Sequence, residues 1–320
     1  GVYGVDRFFV SQVVGSQVQT ASQETDAPVG LYKSLKTTCT TAIATASIAH
    51  NGQSKIEYRI EGTDLANVHF GTANAKTLTL SFYVKSNKTG NTAIGLLNSA
   101  NDRNFIHQFA IASANTWQRV SFTVAGDTSG TWLVDTSIGM RLRWGTFGTS
   151  YQVSTFDQWQ AGQDMTTSNS PINFNEVVGD YLQITGVQLE LGSVATPFEH
   201  RTTGDELQCC RRYYQVLVDD GNAKSFGNAT AYNSTSLHFV TPLRPEMRAT
   251  PTLDYTTGTD YYGAYQNNTV DYFDTFALVG NSHTRNVDLM AASGVSITAA
   301  SSVLLRTTNA SSKIRFTAEL

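Results

Sequence analysis

The sequence predicts an all-β fold of the sandwich or jelly-roll type, and three observations lead to this prediction. Apolar residues recur at every second position in several segments, which is the period of a half-buried strand. Turn-forming residues separate these segments, as at 87–91 and 126–130. Only 15% of the 320 residues are charged, against roughly 25% in ordinary globular proteins. We find no convincing amphipathic helix.

The first 200 residues contain the clearest alternation, and each alternating run predicts one strand with a buried face. The apolar positions of these runs are Ile56, Tyr58 and Ile60; Leu78, Leu80, Phe82 and Val84; Phe105, His107, Phe109 and Ile111; Val120, Phe122 and Val124; and Ile138, Met140, Leu142 and Trp144. His107 lies among apolar residues, so we interpret it as a satisfied core histidine. The stretch 147–179 has few β-branched runs, so we expect a long loop anchored by Trp159.

A strand followed by an extended tether is predicted over residues 181–200. Leu182 and Ile184 alternate with polar residues, and after Gly186 the apolar residues fall on the opposite parity. Such a switch across a glycine indicates a β-bulge. Pro197 cannot donate to a strand ladder and holds the residue before it extended. Phe198 is then expected to fasten the tether to the protein.

The remainder of the chain predicts a second β-domain. Residues 213–218 and 237–240 are expected to be strands, Asp220 and Gly221 a tight hairpin turn, and 314–320 a final alternating strand. Between them, residues 256–276 are dense in Tyr, Asp and Asn. That composition is the most typical of a binding surface anywhere in the chain.

The junction between the two parts resembles bacteriophage tail-fibre and related virion proteins. Residues 188–201 match QLE-x-G-x-x-ATPFE-x-R, and 206–214 match EL-x-x-C-x-RYY. The resemblance extends over nearly the whole chain, through residues 4–10, 56–65, 70–86 and 114–132, the segment MRATPT at 247–252, and the terminal AEL. It implies a carbohydrate-binding-module-like jelly roll over 1–200, followed by a smaller C-terminal β-sandwich domain over 205–320.

This resemblance also implies a function. The expected protein is a tail-fibre receptor-binding protein that attaches the virion to host polysaccharide or lipopolysaccharide without catalysis. It would be a homotrimer, assembled in the bacterial cytoplasm and joined to other tail proteins through a part preceding residue 1. We infer that missing part because the strand that precedes GVDRFFV in the family is absent here. The alternatives are a purely structural capsid or neck fibre and a glycan-depolymerising tailspike.

Several other function classes are disfavoured by the sequence. A net charge of −4 and the absence of a long basic run argue against nucleic acid as a partner. The sequence contains no stretch of 18 apolar residues, so no membrane-spanning helix is predicted. The cysteines 39, 209 and 210 are odd in number and irregularly spaced, which favours free thiols. No catalytic motif is present, so we predict that the protein is not an enzyme. Glu57 and Glu61 share a strand face, but their spacing of roughly 13 Å is too wide for a glycosidase pair.

No cofactor or metal ligand is predicted, because the sequence lacks a calcium-loop motif. A structural calcium ion held by dispersed loop oxygens would leave no pattern in the sequence.

Two groups of residues are candidates for glycan binding, because sugars present C–H faces to aromatic rings and hydroxyls to polar groups. The first lies in the Tyr-rich stretch: Tyr261, Tyr262, Tyr265, Asn267, Asp271 and Tyr272, with Asp260, Asn268 and Phe273 beside them. Its alternative is a β-hairpin with some tyrosines buried at a subunit contact. The second would be a basic-aromatic patch formed by Arg59, Tyr83, Arg141 and Arg143, together with Lys85, if their strands are neighbours. Its alternative is a solvated face or a subunit contact.

A third group is assigned to packing between domains or subunits. It consists of Phe198, Arg211, Arg212, Tyr213 and Tyr214. Arginine guanidinium groups stack on tyrosine rings, which could hold two domains in a fixed orientation.

Overall fold

The computed structural model describes residues 2–5, 7–12, 19–44, 53–147, 149–168, 172–219 and 221–320. The chain forms two compact units, Gly1–His200 with Leu320, and Arg201–Glu319. In the described residues both units are β-sandwiches, so the predicted all-β class, with a larger sandwich before a smaller one, is confirmed.

The N-terminal unit is built from two antiparallel sheets. Sheet A contains, in spatial order, β1 (Val2–Val5), β2 (Phe8–Gln12), β5 (Gln53–Glu61), β10 (Ile138–Phe147), β7 (Gly90–Asn98), β8 (Arg103–Ile111) and β12 (Trp159–Ala161). Sheet B contains β3 (Gln19–Glu24), β4 (Ser34–Cys39), β14 (Tyr181–Leu191), β6 (Leu78–Ser86) and β9 (Gln118–Val124).

The core of this unit lies between the two sheets, because alternate side chains of each strand point inward. Trp144 of β10 and Phe82 of β6 are almost completely buried, and their rings meet edge to face at 5.5 Å between centroids. Phe82 also meets Phe109 of β8 at 5.5 Å. Burying one such side chain stabilises the fold by about 1.5–3 kcal/mol. The inward positions are those that the sequence alternation predicted.

The predicted bulge in β14 is confirmed. Gly186 has a φ of +57°, and the pairing of β14 with β6 shifts register between Thr185 and Gln188. Glycine tolerates this left-handed backbone without the clash that a Cβ would introduce. The bulge therefore accounts for the switch of apolar parity along the strand.

The long loop after β10 is more structured than predicted. It contains a short 3-10 helix (Thr149–Tyr151) and the parallel pair β11 (Gln152–Val153) and β13 (Thr166–Thr167), as well as β12. Trp159 anchors it as expected, donating through Nε1 to Ala125 O at 2.6 Å and packing against Phe70 and Trp132. Another 3-10 helix, Gly62–Val68, follows β5.

The C-terminal unit begins with helix α1 (Thr203–Arg211) and contains two further sheets. Sheet D contains β15 (Tyr214–Asp219), β24 (Lys313–Thr317) and β18 (Thr252–Tyr255). Sheet E contains, in spatial order, β20 (Thr269–Phe273), β19 (Tyr262–Gln266), β23 (Ser302–Thr307), β16 (Ser225–Asn233), β17 (Ser236–Pro242), β22 (Asn286–Ala291) and β21 (Ala277–Leu278). Its core includes Ile314 and Phe316 from sheet D, and Phe226 and Leu305 from sheet E.

One element of this unit was not predicted, and one local prediction is wrong. The helix α1 has no buried residue and so no apolar stripe, which is consistent with the absence of a convincing amphipathic helix in the sequence. Thr202 caps its N-terminus, and the side chain of this residue accepts a hydrogen bond from Asp205 N at 3.2 Å. The predicted hairpin turn at 220–221 is wrong, since β15 pairs with β24 in sheet D while β16 lies in sheet E. Asp220 itself lies outside the described residues.

Among the residues that the structure describes, no helix is long and apolar enough to cross a membrane.

Candidate functional site

The Tyr-rich stretch forms a β-hairpin between β19 and β20. Its turn consists of Asn267 and Asn268, whose φ values of 47° and 60° match the two left-handed positions of a type I′ turn. Asparagine tolerates this conformation better than most residues. Because side chains alternate along both strands, the hairpin has one face toward the core and one face outward.

Two of the predicted binding residues lie on the inner face. Tyr262 is 0% exposed and Phe273 is 2% exposed, and their rings stack at 5.8 Å. The Tyr262 hydroxyl lies 2.8 Å from Thr256 O and 2.9 Å from Lys313 O, so it can donate to either carbonyl. Burial raises the pKa of Tyr262 to about 12. Tyr262 is therefore a core residue, and its assignment to glycan binding is corrected.

Other candidates in the stretch hold the hairpin in place. Asp271 accepts a hydrogen bond from the backbone N–H of Ser296. Tyr261 is half-buried, and its backbone N–H donates to Asp274 Oδ1 at 2.8 Å. Asn267 is exposed in the turn. These contacts give Asp271 and Tyr261 a structural role, whereas Asn267 is open to solvent.

The outer face of the hairpin presents the remaining tyrosines. Tyr272 is 43% exposed and pairs across the strands with Gly263. Tyr265 lies against that glycine, since a Cβ at Gly263 would come within 3.0 Å of the tyrosine Cε2. The Arg306 guanidinium lies over the Tyr265 ring, 5.0 Å from its centroid. The result is two oriented aromatic rings with a cation beside one of them, the combination expected of a saccharide site.

Sequence analysis did not identify a second group on the outer face of sheet E. Tyr232 is 77% exposed, and its ring lies 5.4 Å from that of His238. His238 Nδ1 is 3.2 Å from each carboxylate oxygen of Asp288. The sequence does contain a pattern that indicates this outward face, because residues 228, 230 and 232 are polar or aromatic and alternate with Ala229 and Ala231, which are buried.

The predicted basic-aromatic patch does not form as one surface. Arg59 on β5 and Arg141 and Arg143 on β10 are neighbours in sheet A, with Arg59 directly opposite Arg141. Tyr83 and Lys85 are on β6, which belongs to sheet B. The strands β5 and β10 are therefore not neighbours of β6, and the predicted patch is corrected to two separate groups, the three arginines on sheet A and Tyr83 with Lys85 on sheet B.

The arginines of sheet A surround a buried carboxylate. Glu57 is 1% exposed, and it accepts from Arg59 Nε at 2.6 Å, Arg141 Nη1 at 2.9 Å, Lys55 Nζ at 3.3 Å, and Arg143 Nε. The four cationic side chains are only 4–16% exposed. We call this group the Glu57 cluster. Its members are engaged with one another, so it is an internal ion-pair network and a poor candidate for binding polysaccharide.

Electrostatics agree with this assignment. Burial by itself would raise the pKa of Glu57, but the neighbouring Arg143, Lys55 and Arg141 outweigh it and hold that pKa well below its usual range. Burial, with the nearby Arg143, lowers the pKa of Lys55 to about 8. A carboxylate fixed in its ionised form by four cations cannot serve as a general acid or base near neutral pH.

The QLE and ATPFE segments of the junction bind each other. Gln188 Nε2 lies 3.1 Å from Thr196 Oγ1 and 3.3 Å from Pro197 O, and Gln188 Oε1 accepts from Glu199 N at 2.7 Å. Glu190 accepts from Thr196 N at 3.2 Å and from its hydroxyl at 2.5 Å. We call this arrangement the tether clasp. It fastens the tether to the outer side of sheet B, which explains the motif spacing.

Phe198 and Tyr83 both lie beside the bulge. A Cβ on Gly186 would lie 2.8 Å from Leu31 Cδ1, 3.2 Å from Tyr83 Cδ2 and 3.7 Å from Phe198 Cδ2. The three side chains therefore converge on Gly186, where the absence of a Cβ leaves room for them. The contacts described for Phe198 lie within the N-terminal unit, and its predicted role between domains or subunits stays a prediction.

The second half of the signature binds within the C-terminal unit. Arg248 donates to Ala318 O at 2.8 Å and to Glu319 O at 2.9 Å, and its own N–H donates to Arg212 O. Tyr213 is 2% exposed, and its carbonyl accepts from Ala318 N. The MRA segment, the RYY segment and the terminal AEL thus form one cluster.

The other members of the packing group lie nearby. Arg211 ends α1 and is exposed, while Tyr214 begins β15 and is half-buried. Packing of this group against another domain or subunit stays a prediction.

His107 has the satisfied role that was predicted. Its ring stacks on Phe122 at 3.8 Å, and its Nδ1 is 2.6 Å from Asp157 Oδ1. Within the described ranges, no group of three or more His, Cys, Asp or Glu side chains is placed to hold a metal ion.

No protein-family model matches this chain, and no curated protein sequence is similar to it. Solved structures show weak likenesses. One is the enzymatically active domain of bacteriophage CBA120 tailspike protein 4, with 12% identity and a TM-score of 0.34 over 58% of this chain and 20% of that one. This chain thus spans about a fifth of the tailspike domain. Another is a putative sugar binding protein from Bacteroides thetaiotaomicron, with 13% identity and a TM-score of 0.33 over 60% and 90%.

A third is the CBM22-1–CBM22-2 tandem domain of Xyn10C from Paenibacillus barcinonensis, with 10% identity and a TM-score of 0.28 over 97% and 93%. The all-β assignment of this chain rests on its own strands and sheet order.

Proposed function

We propose that this protein is a non-catalytic receptor-binding module of a bacteriophage tail fibre, and that the outer face of the β19–β20 hairpin binds host surface glycan. The observation that carries the proposal is the pair of outward tyrosines, Tyr265 and Tyr272, with Arg306 over the first ring. The junction resemblance to virion proteins supports the biological setting.

The chemistry of the hairpin face suits a saccharide. An exposed tyrosine ring packs against the C–H face of a pyranose, and its hydroxyl exchanges hydrogen bonds with sugar hydroxyls. Arg306 donates through Nε to Ser225 Oγ at 3.2 Å, which orients its planar group. A guanidinium carries five N–H donors and can engage a sugar hydroxyl or carboxylate with the others. Each contact is weak, so several copies acting together would supply the avidity of adsorption.

Binding to cells tests this proposal directly. The fluorescently labelled chain is incubated with a panel of bacterial strains, and adsorbing strains are treated with periodate to destroy surface glycan. We expect periodate to remove binding, and Tyr272→Ala to weaken it about tenfold, since about 1.4 kcal/mol of lost contact energy corresponds to that factor. Tyr32→Ala is the matched control, because Tyr32 is 85% exposed in the other unit. Equal binding by Tyr272→Ala and wild type would rule out the hairpin face.

The alternative functions predict different results. A structural capsid or neck fibre would bind no strain, and a depolymerase would shorten purified host polysaccharide on incubation. The expected homotrimer is measured by light scattering of the intact chain. Virion localisation is measured by labelling particles with an antibody to this chain.

A further inference from the structure

The outer face of sheet E continues well beyond the hairpin. Counted across the sheet from the hairpin, the strands are β20, β19, β23, β16 and β17. Tyr265 of β19 lies opposite Leu304 of β23, which lies opposite Asn228 of β16. Thr230 of β16 lies opposite His238 of β17. Inward neighbours of these residues belong to the core, so the residues named here share the outward face.

Two aromatic groups stand at the ends of this strip. The first is the Tyr272 and Tyr265 pair with Arg306, on β20, β19 and β23. The second is Tyr232 with the hydrogen-bonded His238 and Asp288. Tyr272 is on β20 and Tyr232 is on β16, so three strand steps separate them, and at about 4.8 Å per step the two rings are roughly 14 Å apart across the sheet. The paired row of Tyr272 reaches β16 at Ser225, so Tyr232 is also displaced by several residues along the strand.

Small polar side chains fill the space between the two aromatic groups. Asn228 and Thr230 are exposed, and the apolar Leu304 is only partly so. Amide and hydroxyl groups on a flat, low-relief surface can exchange hydrogen bonds with sugar hydroxyls without requiring a cleft. The charged groups named on the strip are Arg306, on β23 beside Tyr265, and the His238–Asp288 pair beside Tyr232.

We propose that the strip is a single elongated site and that its ligand is the interior of a linear polysaccharide chain, lying across the strands from Tyr272 to Tyr232. This inference rests on the proposed function and specifies its ligand class. A ligand confined to one sugar ring could touch only one aromatic group, because Tyr272 and Tyr232 are roughly 14 Å apart across the strands and are also displaced along them, so both rings cannot stack on it. A chain of several sugars reaches both groups and contacts the polar residues between them.

A saccharide is favoured over a second copy of the chain as the occupant. Stable protein interfaces are built around a contiguous apolar centre. Here the centre combines the exposed Asn228 and Thr230 with the partly exposed Leu304, and Val240, an aliphatic residue that is 61% exposed, lies toward one end. Separated rings with hydroxyl and amide groups between them match an extended glycan better.

The test uses the full chain and size-graded fragments of one polysaccharide. The polysaccharide is purified from a strain that the labelled chain binds, and mild acid hydrolysis supplies disaccharides and longer oligomers. Calorimetry is then performed with wild type, Tyr272→Ala, Tyr232→Ala and the control Tyr32→Ala. We expect wild-type affinity to rise at least tenfold from the short to the long fragments. Tyr232→Ala should remove that gain without changing disaccharide binding, and Tyr272→Ala should weaken both.

Each outcome bears on the proposal. Affinity that is independent of length, or a Tyr232→Ala variant that binds long fragments like wild type, would overturn the elongated site while leaving the hairpin site intact. Loss of all saccharide binding in wild type would overturn the proposed function as well. Sedimentation of Tyr232→Ala at a lower mass than wild type, with unchanged saccharide affinity, would show that the strip is a contact between copies.

Discussion

Replacing Glu57 by glutamine should strongly destabilise the N-terminal unit. The substitution keeps the size of the side chain but removes the Glu57 carboxylate, which accepts from four cationic side chains. It also places an NH₂ group beside two donors that it cannot accept from. These are Lys55 Nζ and Arg143 Nε in one orientation of the amide, and the donors of Arg59 and Arg141 in the flipped orientation. Breaking a buried ion pair by removing one partner costs about 3–5 kcal/mol, because it leaves an uncompensated charge.

The expected loss lies in this range because the site is buried. Arg143 is 4% exposed and retains only Asn101 Oδ1, at 2.7 Å, and the Met165 sulfur as other described partners. Water cannot readily replace the lost carboxylate at such a site. We therefore expect the free energy of unfolding of Glu57→Gln to be lower by about 3–5 kcal/mol.

Equilibrium unfolding in urea measures this change. Intrinsic fluorescence reports the N-terminal unit selectively, because the four tryptophans, at positions 117, 132, 144 and 159, all belong to it. Glu176→Gln is the matched control, since Glu176 pairs with Lys88 but is 50% exposed, and loss of such a pair costs about 1 kcal/mol or less. A loss for Glu57→Gln no larger than that of Glu176→Gln would refute the reasoning.

Three further outcomes are expected from the structure. Gln188→Ala should release the tether clasp, so the amides of residues 193–200 should exchange with deuterium faster than in wild type while those of sheet A are unchanged. The free energy of unfolding should rise as pH increases from about 8 to 10.5, because the folded-state pKa of Lys55 lies below its unfolded value. In that range the unfolded chain binds one proton more than the folded chain, and urea midpoints at pH 8, 9 and 10 measure the effect. Tyr262→Phe should lower the unfolding free energy of the C-terminal unit by about 1–2 kcal/mol through loss of its buried hydrogen bond, seen as a lower melting temperature in calorimetry.

The candidate site was predictable only in part. Dense Tyr and Asn residues located the hairpin, but composition does not tell which tyrosines point outward. Tyr262 and Tyr265 are three positions apart, so they lie on opposite faces of one strand. Arg306 joins the site from β23, some 40 residues away in sequence, and nothing local to it indicates that partner. The alternation of residues 228–232 indicates an outward face that includes Tyr232, but His238 joins it only through the pairing of β16 with β17.

The sequence by itself determined the all-β class, the inward face of most strands and the bulge at Gly186, because alternation and a single glycine act over a few residues. Tertiary structure alone decided which strands are neighbours. Arg59 meets Arg141 because β5 pairs with β10 across some 80 residues, whereas Tyr83 on β6 belongs to the opposite sheet. Pairing of distant strands depends on the fit of whole faces and on the buried charges that must be matched, and neither is encoded in any one segment.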